Sequence, residues 1–303
     1  MDKIISQSSV AGGQLSESPA VAGGLPPEAE LQILTETGFF WRERGRVKVL
    51  VSRDLEDAGF VNGFSTRMGG VSPFPENSLN LAGFNEDLAE NIYENRWRFL
   101  AALGSDLPLA AVWQVHGDTI KTVDDIEDIG DSDDYADAIV SDLAGVLAGV
   151  KTADCVPVLL GDPKSGAFAA IHAGWRGTVK SIVKKAVLRM SEAFGTDPKD
   201  LICAIGPAAG GCNYEIGEDV ITAFEENFPG SEKYFSPTRT GHALVDLHLA
   251  NLDQLNASGV PNKNISTAPF CTMARPDLFF SYRLEKKKYG KTGRLMSVIG
   301  RRN

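Results

Sequence analysis

Short apolar runs punctuated by Gly, Pro and Asp begin at Val47 and recur at 47–51, 111–115, 138–140, 145–150, 156–160, 167–171 and 201–205. Runs of this length and punctuation predict strands. Between and after them, apolar positions at helical spacing predict helices over 88–103 (Leu88, Ile92, Trp97, Leu100 and Leu103 near one stripe), 178–194, 219–228 and 244–255. Several neighbouring strands lie too close in the chain for a helical crossover, so they must pair antiparallel. The expectation is a single α/β domain over 34–303 with mixed β-sheets layered with helices. Residues 1–33 are poor in aromatics and rich in Ser, Gly, Ala and Pro, which predicts a flexible arm.

Composition narrows the class. With 303 residues, 43% hydrophobic and 23% charged, the chain buries an ordinary core and is neither fibrous nor disordered. A net charge of −10 disfavours polyanionic partners, so neither nucleic acid nor an anionic membrane is expected. No apolar run suits a signal peptide or a membrane span, and a cytoplasmic protein is expected. Four Cys without a CxxC pair read as free thiols or metal ligands. The basic run from Arg283 to Arg302 reads as a solvated hairpin tip.

Only four His are available. His116 and His172 each stand where a predicted strand runs out into glycine, and Cys155 joins two further strands, so the three are expected to meet at one sheet edge. His, Cys and His make up the three-ligand set of a catalytic zinc with one open position. The gaps between them are long, and each alone reads rather as a satisfied strand-end residue or a small buried thiol than as a ligand. His242 and His248 do not share a helix face and read as structural. Two glycine-rich turns after strands each carry an arginine: Arg67 before Gly69-Gly70, and Arg176 between Gly174 and Gly177. A strand-to-helix turn with free N–H groups and a bidentate guanidinium suits an anion. The glycine-rich segment 206–217 lacks the order of a dinucleotide-binding turn.

Taken in order, Ser65-Thr66-Arg67-Met68-Gly69-Gly70, Leu79-Asn80-Leu81, Gln114-Val115-His116-Gly117, Ala136-Asp137-Ala138, Thr152-Ala153-Asp154-Cys155, His172-Ala173-Gly174-Trp175-Arg176-Gly177, Ile205-Gly206-Pro207, Ser281-Tyr282-Arg283 and Thr292-Gly293-Arg294 resemble the YfiH/YlmD family. This is also called the laccase-domain or DUF152 family, and its animal member is FAMIN. The resemblance implies a YfiH-like fold related to certain cysteine hydrolases, and one Zn2+ on His116, Cys155 and His172. It implies phosphorolysis of adenosine, inosine, guanosine and methylthioadenosine, and deamination of adenosine, with a purine nucleoside and phosphate as partners. Within it, Asp154, Arg67 and Arg176 are expected to be catalytic, and Ser65, Asn80, Arg67, Arg176 and Gly177 to bind substrate.

Members are also described as copper polyphenol oxidases and as peptidoglycan editing factors. Four His are too few for the blue-copper and trinuclear sites of a multicopper laccase, although copper at a single site stays open. Zinc with an open position brings the pKa of bound water towards about 7, which suits attack at C6 of adenosine, with Asp154 moving protons. Arg67 and Arg176 are expected to face one pocket and hold phosphate. The competing expectations are a metal-free cysteine hydrolase or amidase using Cys155 and His172, and a non-enzymatic partner of the cell-wall machinery.

Overall fold

The computed structural model describes Gly24 and residues 26–83 and 86–303. Most of the expected 1–33 arm lies outside the described residues. Its last part does not fit the expectation: Pro27–Glu36 is a helix. Glu30 ties that helix down, accepting from Trp41 Nε1 at 2.8 Å and pairing with Arg275 at 2.9 Å.

Two mixed sheets pack face to face. The larger runs in the order Phe39–Arg44, Val47–Ser52, Phe60–Ser65, Leu295–Arg301, Val146–Thr152, Leu109–Trp113 and Gly130–Tyr135. Its last two pairings are parallel and the rest antiparallel. The smaller runs Ile265–Thr267, Ile202–Ile205, Val156–Gly161, Phe168–Ala173, Ala138–Ser141 and Ile120–Val123. A third, small antiparallel sheet of Glu215–Gly217, His242–Val245 and Phe235–Arg239 adds Ile216 and Val245 to the core on the helix side of the smaller sheet.

Side-chain alternation along the strands divides the core, because successive residues face opposite sides of a sheet. Leu159, Phe168 and Ala170 meet Phe60, Phe64, Val150 and Ile299 between the two sheets. Val158, Leu160 and Ile171 face the other way, onto Val183, Val187 and Met190 of the helix Ile182–Phe194 and onto Leu255 of the helix Leu247–Ala257. Beyond the larger sheet, Val49, Leu147 and Val298 pack on Phe99 and Ala102 of the helix Ala89–Ala102. The result is a helix, sheet, sheet, helix sandwich. No helix among the described residues is long and apolar enough to cross a membrane.

Three local expectations change. The helix expected over 178–194 is two, Trp175–Val179 and Ile182–Phe194, broken at Ser181 with φ 61°. The segment expected as a helix over 244–255 opens as the strand His242–Val245, and the helix starts only after Asp246, whose carboxylate accepts from Leu249 N at 2.9 Å. The basic run is no hairpin tip: it begins as the helix Tyr282–Tyr289, capped by Ser281, and passes into Leu295–Arg301. That last strand sits fourth of seven in the larger sheet, paired on both sides, so residues next to the C-terminus close the fold.

Candidate metal centre and its cavity

The three ligand candidates meet at the seam between the two sheets, not at one sheet edge. The chain leaves the larger sheet at Thr152 and enters the smaller one at Val156, with Cys155 at the crossing. His172 lies on the next strand, in register with Pro157. His116 comes from the turn after Leu109–Trp113, and Gln114 fastens that turn by bonding both the N–H and the C=O of Lys151 at 2.7 Å. The ligand atoms of His116, Cys155 and His172 all lie within 4.8 Å of one another, and the imidazoles stand edge to face at 82°.

Asp137 builds this arrangement. Fully buried, it accepts from the N–H of His116 at 2.9 Å and from those of Gly117 and Val115, and it bonds Nδ1 of His172 at 2.7 Å. One carboxylate thereby shapes the turn that presents His116 and turns Nε2 of His172 toward Cys155, the usual arrangement behind a metal-binding His. His116 and Asp154 both hold positive φ, 58° and 87°, a cost that non-glycine residues bear mainly at functional sites. Gly174 is required by close approach: a Cβ there would lie 3.0 Å from Cys155 Sγ and 3.2 Å from the His116 ring.

Burial pushes the Cys155 thiol up, but His172 and His116 outweigh it and bring it down to about 6. For His172, burial pushes down while Cys155 and Asp137 pull up, to about 9. A thiolate and oriented imidazoles are the donors that zinc takes, and three of them leave a position open to the cavity. Among the described residues this is the group able to hold a metal ion.

A cavity of about 700 Å³ opens over the centre. Trp113, Trp175, Tyr214 and Tyr282 supply its apolar walls, and Lys151, Arg176, Arg283 and Arg294 its positive charge. Arg176 is exposed and stacks on Trp175 at 4.2 Å, and Arg283 lies over Tyr214 at 4.8 Å. Burial brings the Lys151 ammonium below its usual range. Asp154 also lines the cavity, yet its oxygens are engaged: Thr272 donates to Oδ1 at 2.7 Å, and Ser281 and the N–H of Arg283 donate to Oδ2 at 3.0 and 2.7 Å. Burial pushes its carboxyl up against those bonds.

Other expected site residues fall elsewhere. Arg67 does not share the cavity with Arg176; it lines a separate groove of about 1070 Å³ and is locked to Glu285 at 2.7 Å and to the carbonyl of Pro276. Ser65 is buried and accepts from Met296 N at 2.9 Å. Asn80 lines a neighbouring cleft, where its side chain accepts from Arg294 N at 2.8 Å. Gly177 is buried against the Gly117 carbonyl, 2.9 Å from where a Cβ would stand. His248 is structural as expected, bonding the Gly206 carbonyl at 3.1 Å.

Asp137, Lys151, Tyr214 and Arg283 line or support the site without a signal of their own in residue pattern or spacing. Asp137 and Arg283 stand in segments that carried the family resemblance, and Lys151 is a charge ending the apolar strand run 146–150.

Residues 61–302 match the family model described as "Multi-copper polyphenol oxidoreductase laccase". The chain belongs to this family. It is 36% identical over 245 residues to a Bacteroides thetaiotaomicron protein named purine nucleoside phosphorylase, covering 78% of this chain and 89% of that protein. It is 35% identical over 253 residues to purine nucleoside phosphorylase YlmD of Geobacillus stearothermophilus, covering 81% and 91%. The crystal structure of that YlmD superposes with a TM-score of 0.79 at 32% identity over 88% of this chain and 100% of the other. YfiH from Bacillus licheniformis gives 0.78 at 30% identity over 86% and 99%. The expected family and fold are thus borne out.

Proposed function

We propose that the chain is a zinc-dependent purine nucleoside phosphorylase, acting on adenosine, inosine, guanosine or methylthioadenosine, that also deaminates adenosine. The observation carrying this reading is the His116–Cys155–His172 cluster opening into an aromatic and cationic cavity, in a chain whose relatives are named purine nucleoside phosphorylases. A volume of about 700 Å³ suits a nucleoside with phosphate beside it. His116, Cys155 and His172 would hold zinc, which when bound supplies a Lewis acid for the polar atoms of the substrate.

The chain's own residues bind and orient. Tyr214, Trp175 and Tyr282 offer faces for a purine and ribose. Arg176 and Arg283, with Lys151 behind them, form the anion cradle that phosphorolysis needs, replacing the expected pair of Arg67 and Arg176. Phosphate oxygen attacks C1′ of the ribose, the bond to the purine nitrogen breaks, and its electron pair leaves with the base. Asp154 is a positioning residue in this scheme: its hydrogen bond to the Arg283 N–H sets that side chain at the rim.

The test is a substrate screen of protein with measured metal content, with and without phosphate. Free base with ribose 1-phosphate, formed only when phosphate is present, supports phosphorolysis; inosine from adenosine without phosphate supports deamination. No base release by zinc-loaded protein overturns the reading. Asp137, His172 and Cys155 in line also suit a metal-free cysteine hydrolase. That second reading predicts full activity in metal-stripped protein and its loss on alkylation of Cys155.

A further inference from the structure

Two cysteines outside the metal centre lie side by side next to segments that line the cavity. Cys212 is exposed on the glycine-rich loop that follows Ile202–Ile205, and Cys271 is buried after Ile265–Thr267. The two segments are already fastened side by side by a parallel bridge between Ala208 and Cys271 and by the bond from Thr272 N to the Ala208 carbonyl at 2.9 Å.

Both sulfurs turn toward the same groups. Asn213 Nδ2 donates to Cys212 Sγ at 3.0 Å and lies 3.6 Å from Cys271 Sγ. The N–H of Gly210 donates to Cys271 Sγ at 3.2 Å, and a Cβ on Gly210 would stand 3.5 Å from Cys271 Sγ and 3.6 Å from Cys212 Sγ. The Cys212 thiol is pushed up by burial and by Cys271 beside it. The other cysteines are placed differently: Cys203 lies buried within Ile202–Ile205, and Cys155 belongs to the metal cluster.

We propose that Cys212 and Cys271 are a redox-active thiol pair that closes to an intrachain disulfide on meeting a small-molecule disulfide. The exposed Cys212 sulfur, as thiolate, attacks one sulfur of the disulfide and expels one thiolate, forming a mixed disulfide. Cys271 loses its proton and attacks the Cys212 sulfur, expelling the second thiolate. Two protein thiols give up two electrons and two protons, and the small disulfide is reduced to two thiols. Cys271 needs no exposure, because its step is intramolecular.

The bond has a direct route to the site. Cys212 stands two residues before Tyr214 in the cavity wall, and Cys271 immediately precedes Thr272, whose hydroxyl holds Asp154 at 2.7 Å. Closure draws these two supports together.

The experiment incubates the full chain, its metal content measured before and after, with oxidised glutathione, then alkylates free thiols and maps peptides by mass spectrometry. The expected product joins the Cys212 and Cys271 peptides with loss of two hydrogens, releases two glutathione thiols per chain, leaves the metal content unchanged and reverses with dithiothreitol. Cys212→Ser, at an exposed position, should block closure without unfolding; Cys271→Ser should stop the reaction at the glutathione adduct on Cys212. A wild-type chain that stays at that adduct, links Cys212 to Cys155, cross-links between chains or does not react overturns the proposal. A changed KM in the oxidised form, restored by reduction, is the expected reading at the cavity.

Discussion

Arg67 and Arg176 each follow a strand in a glycine-rich stretch of sequence, yet the fold gives them opposite roles, Arg67 in the turn after Phe60–Ser65 and Arg176 in the first turn of the helix Trp175–Val179. The Arg67 side chain is 14% exposed and anchored to Glu285, itself 9% exposed, with carbonyl oxygens of Pro276 and Phe279 around the same guanidinium. It joins the turn after the strand Phe60–Ser65 to the helix Tyr282–Tyr289 and to the segment just before that helix. Arg176 stands in the open over Trp175 at the mouth of the metal-side cavity. A guanidinium whose donors are already taken by protein oxygens is a fastener, whereas one left facing a cavity is available to an anion. The turn sequence supplies the arginine; the partner across the fold decides its use.

The comparison can be broken by substitution. The largest effect belongs to the centre next to Arg176: Cys155→Ala should abolish metal binding, measured as one lost equivalent, and take nucleoside turnover to background. A variant that keeps its metal and its rate would detach Arg176 from any metal chemistry. Asp137→Asn should follow, weakening metal affinity about 10- to 100-fold in a chelator competition, because it withdraws the acceptor that orients His172 and shapes the His116 turn. Next, Arg67→Ala should lower stability by about 3 kcal/mol in denaturant unfolding, since Glu285 is left buried without its charge partner. The same variant, assayed well below its unfolding midpoint, should keep its KM for phosphate. A raised KM there, with unchanged stability, would make Arg67 a ligand and end the contrast. Smallest in stability is Arg176→Ala, with the melting temperature unchanged and the phosphate KM raised about 10-fold or more, the worth of one charge-assisted hydrogen bond. Unchanged KM would transfer the anion role to Arg283 and Lys151.

Much of the scaffold and the ligand set could be read in the chain alone. The apolar runs at 156–160 and 167–171 became neighbouring strands because they are adjacent in sequence and buried on both faces. Cys155 and His172 came with them, one just before the first strand and one within the second. The match to residues 61–302 bears out the family expected from the short segments around these residues. The strand Leu295–Arg301 escaped the pattern. Its short apolar stretch follows directly on the basic helix, and nothing local says that it will pair between Phe60–Ser65 and Val146–Thr152.

By itself the sequence determined the local periods, the caps and the three side chains with metal-binding chemistry, because these depend on residue type and on neighbours a few positions away. Only the tertiary structure decided that Asp137 reaches 35 residues along the chain to His172, that Asp154 is held by Thr272 118 residues away, and that Arg67 finds Glu285 218 residues away. Such contacts form when two sheets fold face to face and a C-terminal strand closes between them. Their partners are chosen by the packing of the layers, which no short window of the chain contains.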